Sequence, residues 1–238
     1  MTEWKARRFW KTVDVTEYGG GFVVHLDGRP VRTPAKSALV LPTRAVADAI
    51  AAEWDAQAEV IDPRTMPATR AANAAIDKVR PQRDEVIEML VAYGDADLLC
   101  YRADSPAALV QRQAGAWDPL LDWAAETYGA RLSPRTGVMH EPQDPVALDR
   151  LAAPVRDQSV FELAAFHDLV SLSGSLVIGL AATRDRLPAA DLWQVSRLDE
   201  TWQAEQWGAD EEAEAAAEIK RQSFLMAKRF FDASRISG

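Results

Sequence analysis

Across residues 9–41 apolar positions alternate with polar ones, and from Pro42 onward they recur at steps of three and four. The first regime reads as three strand-forming runs, FWKTVDVTEY, GGFVVHLDGRPVRT and SALVLP. The glycines at 19–21 supply positive φ for one turn, and Asp27-Gly28 is a two-residue hairpin signal. A glycine triplet can cradle phosphate only ahead of a helix N-terminus; a Val-Val strand follows here, so a hairpin is expected. His25, between Val24 and Leu26, reads as strand surface. Thr43 is the expected N-cap of a helix whose inner face carries Val46, Ile50 and Trp54. A second helix opens at Met66-Pro67 and runs to about Lys78, where Arg80-Pro81 predicts a break; a third covers about 82–91. The expected class is therefore α+β: a small β-rich N-terminal domain with one or two helices, residues 1–75, and a larger all-helical C-terminal domain, residues 76–238.

The helical period continues through the second half. Ser105-Pro106 predicts an N-cap and first position for a long helix with Leu109, Gln113, Trp117, Leu120 and Ala124 on one face. Pro119 should kink or restart it, with Asp118 as the new cap. Residues 129–145 read as irregular, followed by helices at about 144–156, 159–170 and 174–182. The last of these is nearly all apolar, with small residues at 174, 175, 179 and 182 for close packing. His167-Asp168 falls at the predicted end of the helix before it, where a cationic histidine would suit the dipole. A final helix starts at Asp210 with Glu211, Glu212 and Glu214, ends with Lys228 and Arg229, and should dock through Phe224, Phe230 and Phe231.

Residues 187–208 read as one helix, with Pro188 in its first turn and Gly208 just past its end. Leu192, Val195, Leu198 (or Asp199) and Trp202 form its core line. A second line holds Trp193, Arg197, Glu200, Ala204 and Trp207, with Arg197 and Glu200 close enough to pair. Either the two indoles pack under loops beside a solvated Glu200, or the stripe anchors a protein contact of the kind that favours tryptophan and arginine.

Composition narrows the partners. A net charge of −9 over 238 residues argues against nucleic acid or an anionic membrane surface. The one basic cluster, Lys5-Ala6-Arg7-Arg8, is interleaved with Trp4, Phe9 and Trp10 and reads as a lead-in to a strand. Cys100 is the sole cysteine, so no intramolecular disulfide can form, and a buried small hydrophobe is its expected role. No apolar run reaches about 18 residues, so no membrane insertion is expected. The N-terminus shows neither a signal-peptide core nor a transit segment, and seven residues precede the RFWKTV string.

Motifs for catalysis are missing. No phosphate loop, dinucleotide fingerprint or nucleophile elbow is present, and His140-Glu141 lacks a second ligand pair for zinc. An enzyme would have to use the acidic loop at 93–104 with His167 or His140, and that remains the rival reading.

The chain as a whole resembles the ATP synthase assembly chaperones that hold the alpha subunit of the catalytic head. The resemblance is carried by RFWKTV at 8–13, GGFVVHLDGRPVRTPAK at 20–36, LPTRAVADAIAAEWDAQ at 41–57 and MPATRAANAAID at 66–77. It continues in YGDADLLCYRA at 93–103, WDPLLDWA at 117–124, GSLVIGLA at 174–181 and LDETWQAEQWG at 198–208. It implies a β-rich N-terminal domain and a helical C-terminal one, with no catalysis and no cofactor. It also implies the alpha subunit as client, and functional weight on the acidic pair Asp199-Glu200. Trp54 would be a structural hallmark. The expected protein-binding residues are thus Glu200, Asp199, Trp193, Arg197 and Trp207, on a monomer in the bacterial cytoplasm, or in the mitochondrial matrix if a leader has been removed. A scaffold subunit kept in the finished synthase is a further alternative.

Overall fold

In the computed structural model, which describes residues 7–137 and 139–235, strands β1 (Val13–Tyr18) and β2 (Gly21–Leu26) pair antiparallel, Val13 opposite Leu26 and Tyr18 opposite Gly21. The second turn is the expected one: Asp27 and Gly28 both take positive φ, 47° and 76°, and lead into the short β3 (Arg29–Pro30). The Asp27 carboxylate accepts from the Lys11 and Thr12 amides, both at 2.9 Å, and these bonds hold its pKa below the usual carboxylate value. Gly21 is required by close approach, since a Cβ there would lie 2.6 Å from the Leu41 carbonyl oxygen. Phe22 and Leu41 exchange two backbone hydrogen bonds and Ala38 bridges Arg32, so the SALVLP run contributes isolated bridges and not a full strand.

Helix α1 (Arg44–Asp55) starts where Thr43 Oγ1 accepts from the Val46 amide at 3.2 Å; the same hydroxyl donates to the Ala233 carbonyl at 2.5 Å. Glu53 on α1 accepts from the Ala68 and Thr69 amides at 2.6 and 2.8 Å, capping α2 (Pro67–Ala74) from outside. Pro81 does not end the helical path. A five-residue π turn, Ala75–Val79, and a 3-10 turn, Arg80–Gln82, carry it into α3 (Arg83–Asp95), with αR backbone at Ala75, Val79, Arg80 and Arg83. The wider turn accommodates the missing proline N–H and its ring, so the predicted break is absent.

The chain divides into two units. The first comprises Met1–Arg83, Ser159–Ala165 and Arg229–Gly238, and the second Asp84–Gln158 and Phe166–Lys228. A contiguous division at 75/76 omits two downstream segments that complete the first core. Trp10, Val24, Leu41, Ile50 and Ala72 are packed there with Phe161, Ala165, Phe230 and Phe231. Trp54 meets Trp10 edge-on at 5.2 Å between ring centroids, which is a structural role. Of the basic lead-in, Trp4, Lys5 and Ala6 lie outside the described residues; the Arg8 guanidinium donates to the Asp55 and Gln57 carbonyls, both at 2.6 Å.

The second unit is helical apart from a two-residue parallel pair, β4 (Tyr101–Arg102) with β5 (Arg135–Thr136). Helix α4 (Ala107–Tyr128) runs unbroken through Pro119, whose neighbour Asp118 pairs with Arg102 at 2.7 Å instead of capping a new start. Pro106, and not Ser105, occupies the α4 N-cap; Ser105 Oγ bonds Asp104 at 3.0 Å. Asp144 caps α5 (Pro145–Arg156). Helix α6 (Val160–Ser173) continues beyond the predicted end, which places His167 inside it, paired with Asp168 at 3.0 Å and away from the terminal dipole. Every residue of α7 (Leu176–Thr183) is buried, as its apolar composition predicts, and Ser175 caps it.

Asp97 is fully buried beneath α7, where its carboxylate accepts from the Val177 amide at 3.1 Å and the Leu99 amide at 3.0 Å. Burial pushes its pKa up to about 6, against the opposing pull of the Ser175 hydroxyl and the backbone amides. A folded-state pKa above the unfolded value of 3.8 means that the stability tied to this group is complete below about pH 4. That contribution is lost as pH rises toward 6. Asp97→Asn should therefore remove a pH-dependent term of about 3 kcal/mol between pH 4 and 7. Urea midpoints of parent and variant at both pH values check this; an unchanged difference would refute it.

Candidate functional site

Residues 187–208 form two helices, not one. Helix α8 (Ala189–Ser196) stops at Arg197, whose φ −107° and ψ 18° depart from helical values, and α9 (Leu198–Trp207) follows at once. The outer punctuation falls close to expectation: Pro188 sits at the α8 N-cap, one place before the first turn, and Gly208, φ 94°, ends α9. The final helix, α10, spans Glu211–Ser234 and runs past Lys228 and Arg229; Phe224, Phe230 and Phe231 are all buried as predicted.

The break at Arg197 splits the proposed stripe. Trp193 is only 4% exposed and packs 5.7 Å from the Phe224 ring, so it is a core residue and not part of a free surface. The expectation that Trp193 and Trp207 bracket Glu200 on one stripe fails because the helical phase is reset between them. Trp207 is 79% exposed, a large indole with its face in solvent. Arg197 links the two environments: its guanidinium lies 5.8 Å from the Trp193 ring centroid and 2.6 Å from the exposed Glu200 carboxylate. Both acids of the pair sit in the first turn of α9, where the helix dipole favours them.

Asp199 and Glu200 are not equivalent. Asp199 is half-buried and accepts from Gln113 Nε2 at 2.7 Å, while Gln113 Oε1 accepts from the Ala103 amide at 2.9 Å. Asp199 thus ties α9 to α4, and Glu200 faces outward. Leu198 is buried beneath them, and Trp202 is half-buried under the Arg112 guanidinium at 5.9 Å. Arg112 also grips Glu205 through two bonds of 2.5 and 3.0 Å, which lower the Glu205 pKa and raise that of Arg112. Arg112 and Glu205 escaped the sequence reading, since nothing in spacing pairs residues on different helices. Gln113 left a usable signal: an amide in an apolar helix line must find a buried partner.

The result is an acidic surface with an aromatic tip. Glu200, Glu205 and Gln206 are exposed along α9, and Trp207 projects at its end. Residues 211–216 of α10 are likewise exposed and carry Glu211, Glu212 and Glu214; Ile219 is 70% exposed. Such a surface can seat an apolar segment flanked by positive charge.

Of the residues of the rival enzymatic reading, the structure brings His140 onto Asp95 and Tyr101 of the acidic segment and leaves His167 apart from it. Burial drives the Cys100 thiol up to about 12, so it is not a thiolate at neutral pH. His140 bridges Asp95 at 3.1 Å and Tyr101 at 3.2 Å, and His167 is held by Asp168, so the two histidines serve separate local pairs. No group of three potential metal ligands occurs among the described residues, and no helix there is long and apolar enough to cross a membrane.

An α+β chain with this surface has the architecture of chaperones of known structure. It matches Atp12 from Paracoccus denitrificans with a TM-score of 0.94 at 54% identity, covering 98% of this chain and all of that one. A candidate chaperone from Agrobacterium tumefaciens matches with a TM-score of 0.91 at 43% identity, covering 96% and 85%. The mitochondrial protein atp12 of Schizosaccharomyces pombe is 25% identical over 219 residues, 87% of this chain and 75% of that protein. The family described as ATP12 chaperone protein matches residues 7–125, and the chain belongs to that family of ATP synthase assembly chaperones.

Proposed function

We propose that this protein holds the unassembled alpha subunit of ATP synthase, shields its beta-facing surface, and is displaced when the beta subunit arrives. Obligate subunit interfaces of this kind exceed about 2,000 Å² and are largely apolar, so a free subunit exposes a patch prone to aggregation. A holder must yield to a tighter final partner, which favours an affinity on the order of micromolar, about −8 kcal/mol. A few anchors suit that better than a wide dry interface.

The observation that carries this reading is the exposed Glu200–Trp207 side of α9, positioned by buried Leu198 and by the Asp199–Gln113 bond. Glu200, Arg197 and Trp207 are the proposed contacts, with Asp199 as their support. The protein acts without catalysis or cofactor, as a monomer, and we place it in the bacterial cytoplasm because its identity to the two bacterial relatives exceeds that to the yeast one.

Glu200→Lys tests the site. The residue is exposed and its pairing with Arg197 is at the surface, so the variant should unfold within about 1 kcal/mol of the parent. Suppression of alpha-subunit aggregation, followed by light scattering, should be lost. Protection equal to the parent's would remove Glu200 from the interface.

A further inference from the structure

The C-terminal end of α4, the C-terminal half of α5 and the residue after α7 enclose an open cleft of about 630 Å³. Its lining combines Trp123, Tyr128, Arg150, Pro154, Asp157 and Arg184. Trp123 lies about 16 Å along α4 from Arg112, so the cleft is separate from the part of α4 that meets α9.

Three features give it recognition chemistry. The Trp123 and Tyr128 rings meet edge-on at 5.5 Å and form, with Pro154, an apolar wall. The Tyr128 hydroxyl is buried beside the Arg184 guanidinium, and its own proton has no acceptor, although such groups are normally satisfied. Burial raises the phenol's pKa while Arg184 beside it pulls the other way, so it stays a neutral donor. Neither Arg150 nor Arg184 forms an ion pair among the described residues, in a protein where acids outnumber bases 36 to 27. Arg150 spends one N–H on the Gly129 carbonyl at 2.5 Å, and its fork keeps further donors.

We infer that this cleft binds a carboxylate carried on an apolar or aromatic body. Two guanidiniums against the single Asp157 carboxylate leave one net positive charge, which matches a monoanion and not a phosphate dianion. The carboxylate would bridge the arginine forks and accept from Tyr128 Oη, and its apolar body would lie on the Trp123–Pro154 wall. The group could come from a polypeptide C-terminus or from an acidic side chain beside an aromatic one.

Amide-proton NMR titrations of the whole chain test this with N-acetyl-phenylalanine for the first source and N-acetyl-aspartyl-phenylalaninamide for the second. N-acetyl-phenylalaninamide and inorganic phosphate serve as comparisons. At least one carboxylate probe should give saturable shifts confined to residues 123–128, 150–157 and 184, and which of them binds identifies the source. The amide and phosphate should bind at least about tenfold more weakly. Arg184→Gln, which removes no internal ion pair, should weaken the carboxylate probe by about tenfold or more; Arg150→Gln adds a second reading. Equal binding of acid and amide, tighter binding of phosphate, dispersed shifts, or an Arg184→Gln variant that binds as the parent does would each overturn the assignment. The proposal does not rest on the holding function, which is read through Glu200.

Discussion

Replacing Trp117 with alanine should lower the unfolding free energy by about 3–5 kcal/mol, one of the two largest effects expected for a single substitution here. The indole is fully buried on α4, and its Nε1 donates at 3.0 Å to the Val195 carbonyl. That carbonyl belongs to the last turn of α8, where helix oxygens lack internal partners, so the indole is the donor that satisfies it. Arg102 also covers the ring at 5.2 Å. The damage should reach function as well as stability, because Val195 lies two residues before Arg197, where α8 gives way to α9. Trp117→Phe separates the terms: it keeps most of the volume but strands the carbonyl, for an expected loss of about 1–3 kcal/mol. Urea denaturation reads both variants, and an alanine variant within about 1 kcal/mol of the parent would show that the α8–α9 junction does not need this pin.

Gly179→Ala should also be damaging, for the opposite reason. An added Cβ would sit 2.6 Å from Val170 Cγ2 and 3.1 Å from Phe166 Cε2, and both neighbours are wholly buried. Neither can swing into solvent, so the clash must be relieved by moving α7 against α6, at about 1–3 kcal/mol. Helix propensity favours alanine by roughly 1 kcal/mol, which makes the sign informative. A stabilised variant in thermal unfolding would mean that the two helices have slack; a lowered Tm is expected.

Where neighbouring residues decide a conformation, the chain was legible before its structure. Asp27-Gly28 made its turn, Thr43 capped its helix, and the small and apolar residues of α7 placed it in the interior. Proline proved a weaker signal. Pro119 stays inside an unbroken helix, and Pro81 is absorbed by a local change of helical pitch. Neither outcome is written in the dipeptide. At the site the decisive event is the reset at Arg197, where neither glycine nor proline announces a boundary, and a continuous helical projection put Trp193 and Trp207 together wrongly. Asp97 likewise looked like one acid of a polar loop, and only contact with Val177, 80 residues on, reveals its burial. What remained hidden was chosen by tertiary packing, against or without local preference.

The first unit's core holds Phe230 and Phe231, and Thr43 bonds the Ala233 carbonyl across 190 residues of sequence. On a ribosome, this unit's sheet and α1 must therefore wait for a segment about 190 residues downstream. They leave the exit tunnel with an apolar face uncovered, and vectorial maturation from the N-terminus is closed to them. A member of an assembly-chaperone family thus keeps an apolar face of its own uncovered until that downstream segment has been made.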